Sequence, residues 1–407
     1  MARPQTGAGG AVSQGLNEMA ITSRTATELD GLLSESPAAA ARRMAEQARA
    51  SATSGDLYAL YGAGQLGRAV LARARAAGLE PVAFADDTPE KQGQMIDGLP
   101  VMRPQDARAR FGARLVFVVT ILNPLLNFIT ARQRLRELTG APVVSFLHLA
   151  WRYPESFLPY YQFEAPQDVL KKSAEIRGAF QLFADEESRR QFVAHLRFRL
   201  LLEHEALPPC APDDYFPPGV LPQPLPPDSV FVDCGAYDGD TLRAFLAHQH
   251  GRFGSIYAFE PDRRNCERLR AYVAALGHET AERIHVWNAG VSDRHTKLRF
   301  DPAGNMSSSF SSVGAIEVEV VPIDEVVEAN GALVYLKFDV EGAEWEALKG
   351  CQKLLARARP LLAISVYHRP DDLWQLPLYV AAHDPNYRLF LRTQGEDGMD
   401  VICYALP

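Results

Sequence analysis

Apolar positions along this chain fall into two blocks of strand-and-helix pattern, separated by a charged helical stretch and a run of prolines. In the first block, Leu57–Tyr61, Pro81–Ala85, Leu115–Thr120 and Val143–Leu147 read as strands. Apolar spacings of three and four residues predict helices over Leu66–Ala77 and Pro124–Thr139. That alternation predicts a small α/β layer on a parallel sheet. In the second block, strands are predicted at Ser229–Cys234, Ser255–Glu260, Ile284–Asn288, Leu333–Asp339 and Leu361–Tyr367, with helices after the first, second, fourth and fifth. Two shorter strands, Lys297–Phe300 and Ile316–Val321, flank a polar loop, Asn305–Val313. The block ends differently: Tyr387–Thr393 and Met399–Ala405 are strand-like and joined by Gln394–Gly398, which predicts an antiparallel hairpin. The fold class is therefore α/β, with two Rossmann-like three-layer domains. Five parallel strands closed by a hairpin differ from a plain dinucleotide-binding sheet, which does not need the hairpin.

The remaining segments set the boundaries. Residues 1–25 carry no apolar period, and Ala26–Ala52 predict an alanine-rich helix with Leu29, Leu32, Leu33, Ala40 and Met44 on its apolar face. Asp168–Glu205 reads as charged helix, a connector or cap. Nine prolines between Pro208 and Pro227 cannot continue a helix or a central strand. The expected organisation is an N-terminal segment (1–55), a small nucleotide-binding domain (56–150), a helical connector with a proline-rich linker (151–227) and a larger catalytic domain (228–407).

Composition narrows the partners. With 407 residues and 47% apolar content the chain can build full cores. A formal charge of −8 argues against nucleic acid or an anionic membrane as main partner, because both favour a basic face. The five cysteines are widely spaced without a C-x-x-C pair, so neither a disulfide framework nor a zinc site is expected, and a reducing cytoplasm fits. Met1–Ser23 lacks the apolar core of a signal peptide, and no 18-residue apolar run suggests a membrane span. A homo-oligomer is compatible with all of this.

Two glycine turns carry the candidate chemistry. Tyr61-Gly-Ala-Gly-Gln-Leu-Gly67 follows a strand and opens a helix, and Asp86-Asp87 follows the next strand, the spacing of a dinucleotide fingerprint. Gly62, Gly64, Gln65, Leu66 and Gly67 would cradle a nucleotide or NAD, with Asp86 and Asp87 toward its ribose. The bland alternative is a strand-to-helix turn that binds nothing. The second turn, in Val230-Phe-Val-Asp-Cys-Gly-Ala-Tyr-Asp-Gly-Asp-Thr241, brings Asp233, Asp238 and Asp240 to the cradle. A pyrophosphate there would face carboxylates in a partly desolvated cleft. S-adenosylmethionine has no phosphate and carries a sulfonium and an ammonium group, so the same acids would complement it. The donor cradle then comprises Asp233, Gly235, Ala236, Tyr237, Gly239 and Thr241 on the loop, Glu260 and Pro261 after the second strand, Asn288 and Ala289 after the third, and Asp339 after the fourth. The competing structural reading has Asp238 and Asp240 merely capping the following helix.

The stretches VDCGAYDGDT, AFEPD, NAGVSD, KFDVEGAEWEALKG and ISVYHRPDDLW, taken together over residues 228–407, resemble the FkbM family of S-adenosylmethionine-dependent methyltransferases. The resemblance implies a class I methyltransferase fold with a terminal antiparallel hairpin for this domain, and methyl transfer to a hydroxyl of a sugar, glycan precursor or natural product, with polysaccharide biosynthesis as one setting. It implies Asp233, Gly235, Gly239 and Glu260 at the donor, and Asp339 and Glu341 as active-site acids. Related sequences carry an Arg-His-His run in the penultimate strand, of which Leu391-Arg-Thr-Gln394 keeps only Arg392. Residues 56–104 are similar to small nucleotide-binding domains fused to sugar-modifying enzymes.

Transfer to an alcohol needs alignment of acceptor, methyl and sulfur, and a base for the hydroxyl proton. His368, at the end of the fifth predicted strand, is the first candidate base, with Asp339 second. His368 as a hydrogen-bonded structural residue is the alternative. Asp339, Glu341 and His368 would also suit magnesium or manganese, although their separation gives no spacing test and no metal is expected. Trp374 and Tyr379 would stack on a sugar or lie in the core. Two other functions compete: an NAD(P)-dependent oxidoreductase, and a non-catalytic nucleotide-sugar-binding protein, each acting through the N-terminal turn.

Overall fold

The computed structural model describes residues 24–50, 56–122, 126–211, 215–301, 309–310 and 316–407. Most of the Asn305–Val313 loop and the first 23 residues lie outside them. The chain forms two compact units. The first takes residues up to 176, 189–209 and 395–399; the second takes 177–188, 210–394 and 400–407. The expected connector, 151–227, is thus divided between the two.

The first unit holds a six-stranded sheet, β1 (Leu57–Tyr61), β2 (Ala83–Ala85), β3 (Met95–Ile96), β4 (Leu99–Met102), β5 (Leu115–Val119) and β6 (Val143–Ser145), in the order β3-β4-β2-β1-β5-β6. All pairings are parallel except β3 with β4. That antiparallel pair turns at Asp97 (φ 48°) and Gly98 (φ 82°), an Asp-Gly hairpin signal that the apolar pattern did not reveal. The strand expected over Val143–Leu147 stops at Ser145, whose Oγ accepts from Leu147 N at 3.3 Å and caps the helix Phe146–Arg152. The alanine-rich helix is two helices, residues 24–33 and Pro37–Ala50, because Pro37 is suited only to a first turn. Leu29, Leu33, Ala40 and Met44 are buried as expected.

The second unit is built on a seven-stranded sheet of β7 (Val230–Cys234), β8 (Ser255–Phe259), β9 (Ile284–Trp287), β14 (Val334–Phe338), β15 (Leu361–Ser365), β16 (Arg388–Thr393) and β17 (Val401–Leu406). Its order is β16-β17-β15-β14-β7-β8-β9. The first five strands in sequence pair in parallel, and β17 runs antiparallel to both β15 and β16, as the hairpin signal predicted. Every residue of β7, β14 and β15 is buried, because helices cover both faces. Phe231, Phe245, Tyr335 and Phe216 fill one side, with Phe231 stacked on Phe245 at 4.3 Å between centroids. Each such ring contributes roughly 1.5–3 kcal/mol through burial. A separate sheet pairs β10 (Gly290–Val291), β13 (Ile316–Val321), β11 (Thr296–Asp301) and β12 (Ser309–Phe310) in that order.

The strand order locates the site. After β7 the chain runs outward through β8 and β9, then returns to place β14 on the other side of β7. Ligand clefts form at such a reversal, beyond the carboxyl ends of the strands. No helix among the described residues is long and apolar enough to cross a membrane.

Candidate functional site

A cavity opens beyond the carboxyl ends of β7, β8, β14 and β15, lined from the glycine turn by Gly235, Tyr237, Asp240 and Thr241, and from the neighbouring strand ends by Phe259, Glu260 and Pro261. Its empty space, open solvent at the mouth included, is about 1020 Å³. Gly235 has φ +85°, and a Cβ there would lie 1.8 Å from the Asp339 carbonyl oxygen, so β7 and β14 approach as closely as they do only because the residue is glycine. The turn is held from outside by Glu260, whose Oε2 accepts from Tyr237 N (2.9 Å) and Oε1 from Asp262 N (2.8 Å). Burial raises the Glu260 carboxyl to about 7 against those two bonds.

The three aspartates of the turn have separate fates. Asp233 is fully buried beneath the loop and does not line the cavity; it pairs with Lys337 Nζ at 3.0 Å. Asp238 turns outward to Arg243, 2.5 Å away. Only Asp240 faces the cavity. The acidic character expected of the loop is nonetheless present, because Glu260, Asp339, Glu341 and Asp400 supply it from other elements. Among the described residues, five carboxyl groups and one ammonium, that of Lys337, therefore line the space.

Lys337 was not singled out from the sequence, although a lysine inside the apolar run Leu333–Phe338 is the signal. Its register partner on β7 is Asp233. Nζ donates to the Gly235 carbonyl at 2.6 Å and lies 4.0 Å from Asp339 Oδ2. Burial acts to lower its pKa, and the carboxylates of Asp233, Asp339 and Asp240 outweigh burial and hold it above the usual lysine range. Burial also pushes Asp233 up to about 6, since the single ammonium is opposed there by Asp240 and Asp339.

At the other end, Asp339 accepts from Tyr215 OH (2.8 Å) and Ser365 Oγ (3.2 Å). Burial would raise it, but Lys337, His368 and these two hydroxyls keep it below the usual carboxylate range. Tyr215, from the proline-rich stretch, carried no sequence signal. Glu341 (φ +53°) lines the cavity, and burial, with Asp339, Glu344 and Asp400 adding to it, lifts its carboxyl to about 8 despite the opposing charge of His368. Tyr367, Gln394 and Asp400 complete this end.

His368 is corrected as the candidate base. Its ring is buried and absent from the cavity lining, with Nδ1 at 2.7 Å from Glu344 Oε1 and Nε2 at 3.5 Å from Asp339 Oδ1 and 3.8 Å from Glu341 Oε2. Burial lowers its affinity for a proton, but Glu344, Glu341 and Asp339 overcome this and raise it to about 10. A histidine that stays protonated at neutral pH takes no proton from an alcohol. Asp339, Glu344 and His368 have donor atoms within 4.8 Å of one another, the one such group among the described residues, but Nδ1 is committed to the Glu344 hydrogen bond.

Other expected contacts are indirect. Ala236 and Gly239 shape the turn: Ala236 N donates to Phe259 O, and a Cβ on Gly239 would meet Leu269 Cδ1 at 2.9 Å. Asn288 Nδ2 donates to the Glu260 and Pro261 carbonyls (2.9 and 3.1 Å), and its neighbours Gly290 and Val291, rather than Asn288 and Ala289, line the cavity. Arg392 is held by Asp185 at 2.7 Å, Trp374 is core, and Tyr379 packs on Trp345.

In the first unit the other glycine turn is closed by its own acids. Asp86 Oδ2 accepts from Ala63 N (2.8 Å) and lies 3.0 Å from Lys91 Nζ, while Oδ1 accepts from Thr88 N. Asp87 accepts from Tyr61 OH (2.6 Å) and pairs with Arg134 (2.8 Å). A Cβ on Gly67 would fall 1.9 Å from Gly62 O, so this glycine serves the helix packing against the strand. Gly64, Gln65 and Leu66 begin the helix Gln65–Ala76. A pyrophosphate at this turn would have to displace Asp86 from Ala63 N.

Residues 233–396 match the family described as the Methyltransferase FkbM domain. The fold is similar to that of a methyltransferase FkbM from Methylobacillus flagellatus KT, with a TM-score of 0.74, 23% identity, and coverage of 96% of this chain and 100% of that one. Smaller likenesses include an rRNA methylase from Streptococcus thermophilus (TM-score 0.28, 17% identity, 44% of this chain and 88% of that one). Another is a precorrin-6y C5,15-methyltransferase from Geobacter metallireducens GS-15 (TM-score 0.27, 14% identity, 44% and 78%). No curated protein sequence matches the chain.

Proposed function

Residues 233–396 are a methyltransferase FkbM domain, and from that premise we propose that the protein is an S-adenosylmethionine-dependent O-methyltransferase acting on a hydroxylated, sugar-containing small molecule. The observation that carries this reading is the acidic lining of the cavity: five carboxyl groups, ionised Asp339 among them, against one committed ammonium suit a sulfonium donor and disfavour a pyrophosphate. Gly235, Tyr237, Asp240, Thr241, Glu260 and Pro261 form the donor end, with Glu260 toward the ribose hydroxyls. When bound, S-adenosylmethionine supplies an electrophilic methyl group. The residues of this chain then have to hold the acceptor hydroxyl in line and remove its proton.

Glu341 is the proposed base. It lines the cavity, and a carboxyl that titrates near pH 8 can take a proton at working pH and release it again. Asp339, ionised and fixed by Tyr215 and Ser365, orients the hydroxyl, and His368 holds the two acids in place as a buried cation. The reading includes a cytoplasmic setting, supported by five free cysteines.

Calorimetry tests it. S-adenosylmethionine and S-adenosylhomocysteine are expected to bind, and Glu260→Gln, which removes one of the two backbone contacts, to weaken binding about tenfold. Absence of binding by either ligand would sink the assignment.

A further inference from the structure

The end of the cavity away from the glycine turn is formed by Tyr215, Asp339, Glu341, Tyr367, Gln394 and Asp400. These groups are close enough to act on one another: Tyr367 feels the carboxylates of Asp339, Asp400 and Glu341, and Tyr215 feels Asp339 and Asp400. Among the described residues, no arginine or histidine lines the cavity. Lys337 is the single cation among the described lining residues; its Nζ donates to Gly235 O at 2.6 Å and lies 3.0 Å from Asp233 Oδ1. A phosphate or carboxylate beside the reacting hydroxyl would find no uncommitted cation among the described lining residues and would face ionised Asp339. An ammonium group would meet the carboxylate of Asp339 and the carboxyl groups of Glu341 and Asp400.

Resting on the methyltransferase reading, we propose that the acceptor is a hydroxylated amine of the amino-sugar class, carrying a free ammonium close to the hydroxyl that is methylated, and not a phosphorylated or carboxylated sugar. The acids that bind the amine also decide which atom reacts. They keep the nitrogen protonated, so its lone pair is unavailable, and the hydroxyl oxygen remains the nucleophile. That oxygen forms the new bond to the methyl carbon, the methyl–sulfur bond breaks with its electron pair going to sulfur, and the hydroxyl proton passes to the Glu341 carboxylate.

The test compares three matched probes on the full chain loaded with S-adenosylhomocysteine: methyl glucosaminide, methyl glucoside and methyl glucoside 6-phosphate, by ligand-observed NMR at fixed salt. The amine is expected to bind about tenfold more tightly than the neutral glycoside, as for a close charge pair in a cleft, and the phosphate not at all. Asp400→Asn, which keeps a side chain tolerant of the left-handed backbone at that position (φ +48°), is expected to reduce the preference for the amine over the neutral glycoside. Equal affinity for the three, no binding of the amine, or tighter binding of the phosphate overturns the proposal. Those results decide it on the wild-type chain even if the variant does not fold. Failure of S-adenosylhomocysteine itself to bind counts instead against the methyltransferase reading.

Discussion

Replacing Lys337 with methionine keeps an unbranched side chain one atom shorter and deletes the one ammonium under the glycine turn. Asp233, fully buried, would lose its 3.0 Å partner, and the Gly235 carbonyl would lose its 2.6 Å donor. Removing one member of a buried ion pair costs about 3–5 kcal/mol, because the remaining charge has neither water nor counter-ion. Against a total stability of roughly 5–15 kcal/mol, this is a large share. With a urea dependence of about 2 kcal/mol per molar for a unit of this size, the midpoint should fall by about 2 M. The second unit should unfold first, monitored by tryptophan fluorescence alongside circular dichroism. Asp233 would respond by holding its proton. Its carboxyl is already raised to about 6 in the folded state against about 3.9 unfolded, so the folded protein binds more protons across that window, and stability contributed by the group is lost as pH rises through it. In Lys337→Met that decline should steepen and extend to higher pH. Adding Asp233→Asn should recover a good part of the loss, since the orphaned charge is then gone. A loss below about 1 kcal/mol in the single variant, or no recovery in the double, would falsify the claim that this pair is an essential electrostatic unit.

Three further outcomes are expected. Gly235→Ala drives a Cβ to 1.8 Å from a backbone oxygen at φ +85°, so soluble yield and S-adenosylhomocysteine binding should both collapse, and a well-folded variant with ordinary affinity would contradict the close approach of β7 and β14. For Glu341, kcat/KM should rise with pH through about 8 as the carboxyl ionises, and Glu341→Gln should lower the rate roughly 10²–10⁴-fold and flatten that limb; a limb that survives assigns the titration elsewhere. Asp86→Ala removes the acceptor of Ala63 N and Thr88 N, so the first unit should lose about 1–3 kcal/mol in urea unfolding while affinity for S-adenosylhomocysteine stays constant. A changed affinity would show that the N-terminal turn takes part in donor binding.

Much of the glycine-turn end of the cavity was legible because its signals are local. A glycine turn after a buried strand, an acid at the end of the next strand and an apolar run closed by Asp339 are all short stretches whose backbone geometry follows from residue type, and Gly235, Tyr237, Thr241, Glu260 and Pro261 do line the cavity. The opposite end was less legible because its parts arrive from distant places: Tyr215 from a proline-rich stretch, Tyr367 beyond β15, and Gln394 and Asp400 from the terminal hairpin. The prolines that marked a boundary gave no hint that a tyrosine among them would hydrogen-bond Asp339.

By itself, the sequence determined the two α/β blocks, the antiparallel ending and the glycine turns, because strand period, helix period and turn chemistry act within about ten residues of chain. Which acids face a ligand was decided only by the tertiary structure. Asp233, Asp238 and Asp240 look equivalent in VDCGAYDGDT, yet pairing of β7 with β14 buries Asp233 against Lys337, and Arg243 draws Asp238 outward, leaving Asp240 alone in the cavity. The same packing surrounds His368 with Glu344, Asp339 and Glu341, so a residue that reads as a base is held as a cation. Charge is a property of a side chain, but its protonation and direction belong to the neighbours that folding assembles around it.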